Sequence, residues 1–385
     1  MGWVLSGHHA WAGGRRNCRR AELQRLAAGA PPRPVVAPGA CPYRGRANPK
    51  EHLVKRLFRF IVIAVLVVLL ALLTVWGALA LWFRLPLPDL ARMAAAGGFG
   101  LFGLAVIWAQ FGSGRIGALV VYALAFAGLL VWWSTIRPPA TGDWAPEVAR
   151  QVTGSIDGDI LTLTDLRAFD WRGPDDFTES WQTRKFDLSQ VETVDMLLSY
   201  WGNPDMAHFM LSFGFADGEF LAWSIEVRRQ IGGGFSPIAD FFKSNALVIV
   251  AAEERDVVGL RTNIRGEDVQ LFRLDVPPAE ARRLIEDYVA DANALAERPA
   301  FFNSITTNCS TAVFRMMRAS GNGIPFDWRM IVNGYLPDLA YERGALVAGV
   351  PLSELRARGK INLRAQEQGL NDGFSAAIRE GVPGH

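Results

Sequence analysis

Leu57 to Leu81 is an almost unbroken apolar run, interrupted only by Arg59 near its start. At 1.5 Å per residue a helix of this length crosses a hydrocarbon core of roughly 30 Å. The run is too long for a signal-peptide core and lacks a small-residue cleavage site, so it is expected to stay in the membrane. Trp82, Phe83 and Arg84 then supply an interfacial anchor. Two further apolar runs, Ala94 to Phe111 and Ile116 to Trp133, flank the turn Gly112-Ser113-Gly114-Arg115. The first of these is short and glycine-rich, yet its status sets the parity of crossings. Three spans with a basic N-terminus inside place everything after Thr135 outside, whereas two would leave it cytoplasmic. The pattern favours three, which makes residues 57–134 a membrane region.

The pattern changes after Thr135. Residues 135–150, with Arg137-Pro138-Pro139-Ala140-Thr141-Gly142, read as a stiff linker, and residues 151–383 as a separate domain. Ile160–Leu163, Val194–Leu198, Leu247–Ala251 and Val269–Leu274 read as strands. His208–Phe215 and Phe220–Val227 read as a hairpin turning at Ala216-Asp217-Gly218. Pro277–Glu297 has helical spacing at Ala281, Leu284, Ile285 and Tyr288, and Ser310–Arg318 reads as a second helix stopped by Gly321 and Gly323. The fold class is therefore α+β, preceded by transmembrane helices.

Composition agrees with this division. Half of the 385 residues are hydrophobic and the mean hydropathy is +0.14, an excess concentrated in the spans. Residues 1–56 carry eleven Lys and Arg against Glu22 and Glu51, with no apolar periodicity, and are expected to be a disordered cytoplasmic arm. Its charge is accounted for as the positive flank that holds the N-terminus inside, so no nucleic-acid partner is expected.

Chemistry enters by elimination. The exported part contains a single cysteine, Cys309, because Cys18 and Cys41 lie in the arm. A lone cysteine forms no intramolecular disulfide, and structural zinc needs several ligands, so no metal or other cofactor is expected. Cys309 is either a small buried hydrophobe or a nucleophile. Thr306-Thr307-Asn308-Cys309-Ser310-Thr311 precedes an apolar helix, which places the thiol in the first turn. There the backbone N–H groups and the helix dipole favour a thiolate and a developing oxyanion.

A thiol enzyme also needs a base, and only His208 and His385 are available outside the arm. His385 ends a glycine-rich tail and is not expected to be held. A lone strand histidine is normally a satisfied surface or core residue, but here no other can serve Cys309. Strand alternation places Phe209, Leu211, Phe213 and Phe215 on one face and His208 on the other. In the second strand Leu221, Trp223, Ile225 and Val227 form the apolar face, with Ala222, Ser224 and Glu226 opposite. A three-residue loop with Gly218 left-handed pairs Phe215 with Glu219 and so His208 with Glu226, whose carboxylate can orient the imidazole. The neighbouring even register would offer Arg228 instead.

Other groups carry weaker signals. Arg228, Arg229, Arg255 and Arg261 could hold a phosphate head group, although dispersed arginines are usually structural. Glu253-Glu254-Arg255-Asp256 reads as a solvated charge run. Gly232-Gly233-Gly234 lacks the strand-to-helix context of a phosphate loop. Trp171, Trp181, Trp201 and Trp223 read as core or membrane-facing packing.

Five segments together resemble the Lnb-type N-terminal periplasmic domain, a family named after a bacterial lipoprotein N-acyltransferase. They are His208-Phe209 through Ser224-Ile225-Glu226-Val227-Arg228, Ala252–Val257, Leu260-Arg261-Thr262, Phe302–Cys309, and Phe374–Gly381, and they span most of residues 160–383. The resemblance implies a circularly permuted papain-like (NlpC/P60-like) domain with the His strand before the Cys helix. Asn308-Cys309 is also similar to the Asn-Cys pair of lecithin–retinol acyltransferase-like enzymes. By this resemblance Cys309 would accept an acyl group as a thioester and His208 would shuttle the proton. Glu226 or another polar group would orient His208. Arg228, Arg261 and Asn308 are the candidate substrate-binding residues. It further implies an integral protein of the bacterial inner membrane whose domain faces the periplasm, with membrane lipids or lipoproteins as substrates. The alternatives are a cell-wall amidase or cysteine peptidase on the same fold, and a non-catalytic envelope module. The hydrophobic spans ahead of the domain leave the substrate less defined than the chemistry.

Overall fold

Three long apolar helices, Pro49–Arg84 (α1), Asp89–Ala109 (α2) and Arg115–Thr135 (α3), open the computed structural model, which describes residues 49–310, 314 and 325–385. Each is long and apolar enough to cross a membrane. Helix α1 starts at Pro49, so the last eight residues of the expected disordered arm are helical, in register with the apolar run that follows. The rest of the arm lies outside the described residues. One of the glycines that weaken α2 as a sequence signal has a packing use. Gly103 stands so close to Thr74 that a Cβ would fall 2.2 Å from its side chain, and Thr74 shares a 3.0 Å hydrogen bond with Tyr122. Small residues let membrane helices approach this closely.

The domain beyond is built on an eight-stranded sheet in the order β1-β2-β9-β8-β7-β6-β10, with β5 also paired to β2. Its strands are β1 Thr153–Asp157, β2 Ile160–Arg167, β5 Trp181–Asp187, β6 Val191–Tyr200, β7 Ala207–Phe215, β8 Phe220–Arg228, β9 Ala246–Ala252 and β10 Asp268–Leu274; β3 Asp170–Trp171 and β4 Phe177–Thr178 form a separate small ribbon. Among the described residues, only β2 and β9 run parallel. The α+β class and the strands read from alternation are present, and β1 and β5 were not anticipated because their exposed polar residues blur the pattern.

Both faces of the sheet are buried. Pro278–Glu297 (α4) covers one face with Ala281, Leu284, Ile285 and Tyr288, against Phe209, Leu211, Phe213 and Trp223. The opposite face, with Met210, Ala222 and Val250, is covered by Ile361, Ala365, Phe374 and Ile378 near the C-terminus. Cys309, Ser310 and Phe314 are helical, while the remainder of the expected Ser310–Arg318 helix and its stop at Gly321 and Gly323 lie outside the described residues.

Two expectations about charge do not hold. Glu254 and Asp256 are fully buried rather than solvated. Asp256 accepts from Arg167 Nε at 2.9 Å and from Trp171 Nε1 at 2.8 Å, while Glu254 pairs with Arg379 at 2.7 Å. The terminal His385 is also held: its Nε2 lies 3.0 Å from Asp195 Oδ1, beside the Arg379–Asp195 pair at 2.8 Å. Partners this distant in sequence turn a surface-like charge run into a buried network. Burying a carboxylate is costly unless it is paired. Arg379→Met should therefore lower unfolding stability by about 3–5 kcal/mol, read as a fall in the denaturation midpoint of the detergent-solubilised protein. The exposed Arg358→Met should leave that midpoint nearly unchanged.

Candidate active site

The hairpin register brings the base and its carboxylate together. Strand β7 pairs with β8 as Met210↔Ser224, Ser212↔Ala222 and Gly214↔Phe220, and Phe215 N–H donates to Glu219 O at 3.0 Å. Gly218 takes φ +86°, the left-handed conformation that such a loop needs and that glycine adopts without strain. Continuing the pairing sets His208 opposite Glu226, with Nε2 3.3 Å from Oε1.

Ser224 stands between the two. Its Oγ donates to Glu226 Oε1 at 2.7 Å and lies 2.7 Å from His208 Nε2. Since that hydroxyl has one proton and gives it to the carboxylate, Nε2–H of His208 must be the donor to Ser224. The assigned tautomer thus leaves Nδ1 as the basic nitrogen. Arg261 completes the arrangement, donating from Nη2 to the same Glu226 oxygen at 2.8 Å.

Cys309 faces this relay from the start of its helix. Asn308 caps that helix, its Oδ1 accepting from Ser310 N–H at 3.0 Å. Asn333 then ties helix to strand. Its Oδ1 accepts from Ala207 N–H at 2.8 Å and its Nδ2 donates to Ala207 O at 2.6 Å, to Ser310 Oγ at 2.9 Å and toward Cys309 Sγ at 3.4 Å. One amide therefore grips the residue before His208 and the thiol together. Its neighbour Gly334 makes this reach possible, because a Cβ there would fall 1.9 Å from Pro204 O.

The charges are mutually supporting. Burial pushes the Cys309 thiol up, but the hydrogen bond and positive charge of His208, the Phe209 backbone N–H and Ser310 outweigh it and hold the pKa below its ordinary value. Burial pushes His208 down, yet the Glu226 carboxylate and the hydrogen bond to Cys309 bring its pKa to about 8 against the opposing charge of Arg261. Burial likewise pushes Glu226 up, and His208 and Arg261 hold it well below the usual carboxylate range. The site is thus arranged to carry an imidazolium between a carboxylate and a thiolate.

A cavity of about 430 Å³ opens over the pair. Its lining includes the polar Arg229, Arg261, Arg265 and Glu267 and the apolar Trp201, Phe235, Phe302 and Ile331. Asn308 and Arg261 are thus at the cavity, one as a helix cap and the other as the partner of Glu226. Arg228 is not among its lining residues. The guanidinium of Arg228 donates to Val148 O and Ala149 O and lies 4.7 Å from the Trp144 ring, so it is tied to the linker. Arg255 is likewise engaged, with Glu253 and Asp170. Trp171 and Trp223 are core residues, whereas Trp201 is 45% exposed at the cavity rim.

Asn333 and the bridging role of Ser224 were not read from the sequence. Ser224 lies on the strand face that alternation predicts, but Asn333 lies in a segment with no pattern to single it out. Asn333→Ala would leave the buried Ala207 N–H and C=O without partners, costing roughly 1–3 kcal/mol for each. It should also release the thiol from His208. The expected readout is a slower alkylation of Cys309 at neutral pH, by about tenfold or more, with the protein still folded.

These features define a membrane-anchored α+β domain with a Cys–His pair on the floor of a cleft. Residues 177–334 match the family model of the Lnb N-terminal periplasmic domain. The match contains His208, Ser224, Glu226, Arg261, Cys309 and Asn333, and it ends before the Phe374–Gly381 segment. With three apolar helices ahead of it, the chain is a membrane protein carrying a periplasmic domain. No curated protein and no solved structure matches it.

Proposed function

We propose that the protein is a thiol acyltransferase of the bacterial inner membrane, carrying a lipid-derived acyl group as a thioester on Cys309. The observation that carries this reading is that Cys309 and His208 line one cleft, with His208 backed by Ser224 and Glu226 and polar and apolar side chains around the pair. The order of the elements, His strand before Cys helix, supports a permuted papain-like reading of the domain.

In the first half-reaction the Cys309 thiolate attacks the carbonyl carbon of an acyl ester. The bond from that carbon to the donor oxygen breaks, and the departing oxygen takes the proton from His208. In the second, neutral His208 removes a proton from an acceptor amine or hydroxyl, which attacks the thioester and returns the thiolate. Glu226 and Ser224 hold the imidazole so that it faces the thiol in both directions. The Asn308-capped helix start favours the negative charge on the tetrahedral oxygen.

Incubating the reconstituted protein with a phospholipid labelled in its acyl chain, and in parallel with peptidoglycan fragments, tests this reading. The expected result is label on Cys309 and release of lysophospholipid, with the fragments left intact. Cleavage of the fragments without acyl transfer would identify an amidase or peptidase instead.

A further inference from the structure

The membrane helices and the cleft meet through one short segment. Twenty residues of α3, counted from Arg115, end at Ser134 and span about 30 Å, the depth of a hydrocarbon core. Trp133 therefore marks the boundary on the domain's side, where tryptophan is favoured. Trp76 of α1, six residues before the Trp82-Phe83-Arg84 anchor, has its ring 5.2 Å from that of Trp133. Phe242 of the domain packs against both, at 6.2 Å from each, and Lys243 Nζ donates to Trp133 O at 2.8 Å. The one-turn helix Pro237–Phe241 that leads into Phe242 is thereby held next to α1 and α3.

The lip of the cleft is bound to this turn. Ser304 Oγ donates to Pro237 O at 2.8 Å, and Asn303 Nδ2 donates to Phe241 O at 3.3 Å. Ser304 itself lines the cleft, as does Phe235 on the other side of the turn. Ile238 is 61% exposed, Ile305 44% and Phe235 41%, an apolar strip on the segments tied to Phe242.

We propose that this strip, centred on Ile238 and Ile305, is seated in the membrane leaflet on the domain's side. The Cys309 cleft then opens sideways onto the bilayer, and an acyl chain passes along Phe235 and Phe302 to the thiol without crossing water. The position of the strip follows from packing alone; the use made of it rests on the acyl-transfer reading above. Charged or polar loops at this height would keep the cleft mouth in water, whereas exposed isoleucines gain free energy on entering the interface.

Nitroxide depth measurements test the placement without calling on catalysis. In a Cys18→Ser, Cys41→Ser, Cys309→Ser background, single cysteines at Ile238, Ile305, Ile160 and Val131 are labelled after reconstitution into phosphatidylethanolamine–phosphatidylglycerol vesicles. Ile160 is an exposed isoleucine on β2 and Val131 a lipid-facing residue of α3. The expected result is an oxygen-to-nickel-chelate accessibility ratio at 238 and 305 several-fold above that at 160 and displaced toward that at 131. Ratios at 238 and 305 equal to that at 160 would overturn the proposal, and would mean that the strip faces water or a protein partner. Because the background lacks the nucleophile, this outcome is independent of whether Cys309 carries an acyl group.

Discussion

A Cys309→Ala protein is expected to fold, insert and transfer no acyl group. Removing the nucleophile of a covalent mechanism lowers turnover by about a thousandfold or more, because both half-reactions pass through the same sulfur. Loss of one sulfur atom from a site that is 7% exposed removes little packing, so the unfolding midpoint should change by far less than the activity. The measurement is the rate of acyl transfer from labelled phospholipid in vesicles, with the midpoint recorded alongside. Retention of activity, or full complementation of a deletion strain by this variant, would mean that the domain acts without thiol chemistry, as a non-catalytic envelope module would.

His208→Ala should be nearly as damaging, lowering turnover by about 10²–10⁴-fold, the usual contribution of a positioned acid–base group. Its distinctive signature lies in the pH dependence of thiol reactivity. In the native protein the Cys309 pKa is held below its ordinary value because His208 outweighs burial. Without the imidazolium, burial dominates and the thiol pKa rises, so alkylation by iodoacetamide should be slow at neutral pH and recover only in alkali. Native turnover should rise with pH as Cys309 ionises, then fall as His208 loses its proton at about pH 8. These limbs belong to the coupled pair rather than to either residue alone. An unchanged alkylation profile in the variant would show that His208 does not govern the thiol.

The pair was legible in the sequence because elimination left one thiol and one usable imidazole, and strand alternation has a period of two. The same parity placed Glu226 opposite His208, and the observed register agrees with it. Ser224 was on the same face, two residues from Glu226, but no rule of pattern says which polar side chain on a face interposes itself. Asn333 was out of reach for a different reason. It contacts Ala207 across 126 positions from an irregular segment, and such contacts leave no local periodicity. The arginines could not be told apart for the same reason. Arg261 and Arg228 look alike in sequence, yet one pairs with Glu226 and the other with linker carbonyls. The buried acids Glu254 and Asp256 resembled a surface run until Arg379 and Arg167 were brought to them by the fold.

The central claim is that Cys309 carries an acyl group in the working protein. Intact-mass analysis of the protein isolated from its own membranes, followed by peptide mapping, reads this directly. The account predicts a fatty-acyl adduct on Cys309 that is removed by neutral hydroxylamine and is missing from the Cys309→Ala variant. An adduct on another residue, or none under conditions where acyl transfer proceeds, would contradict it.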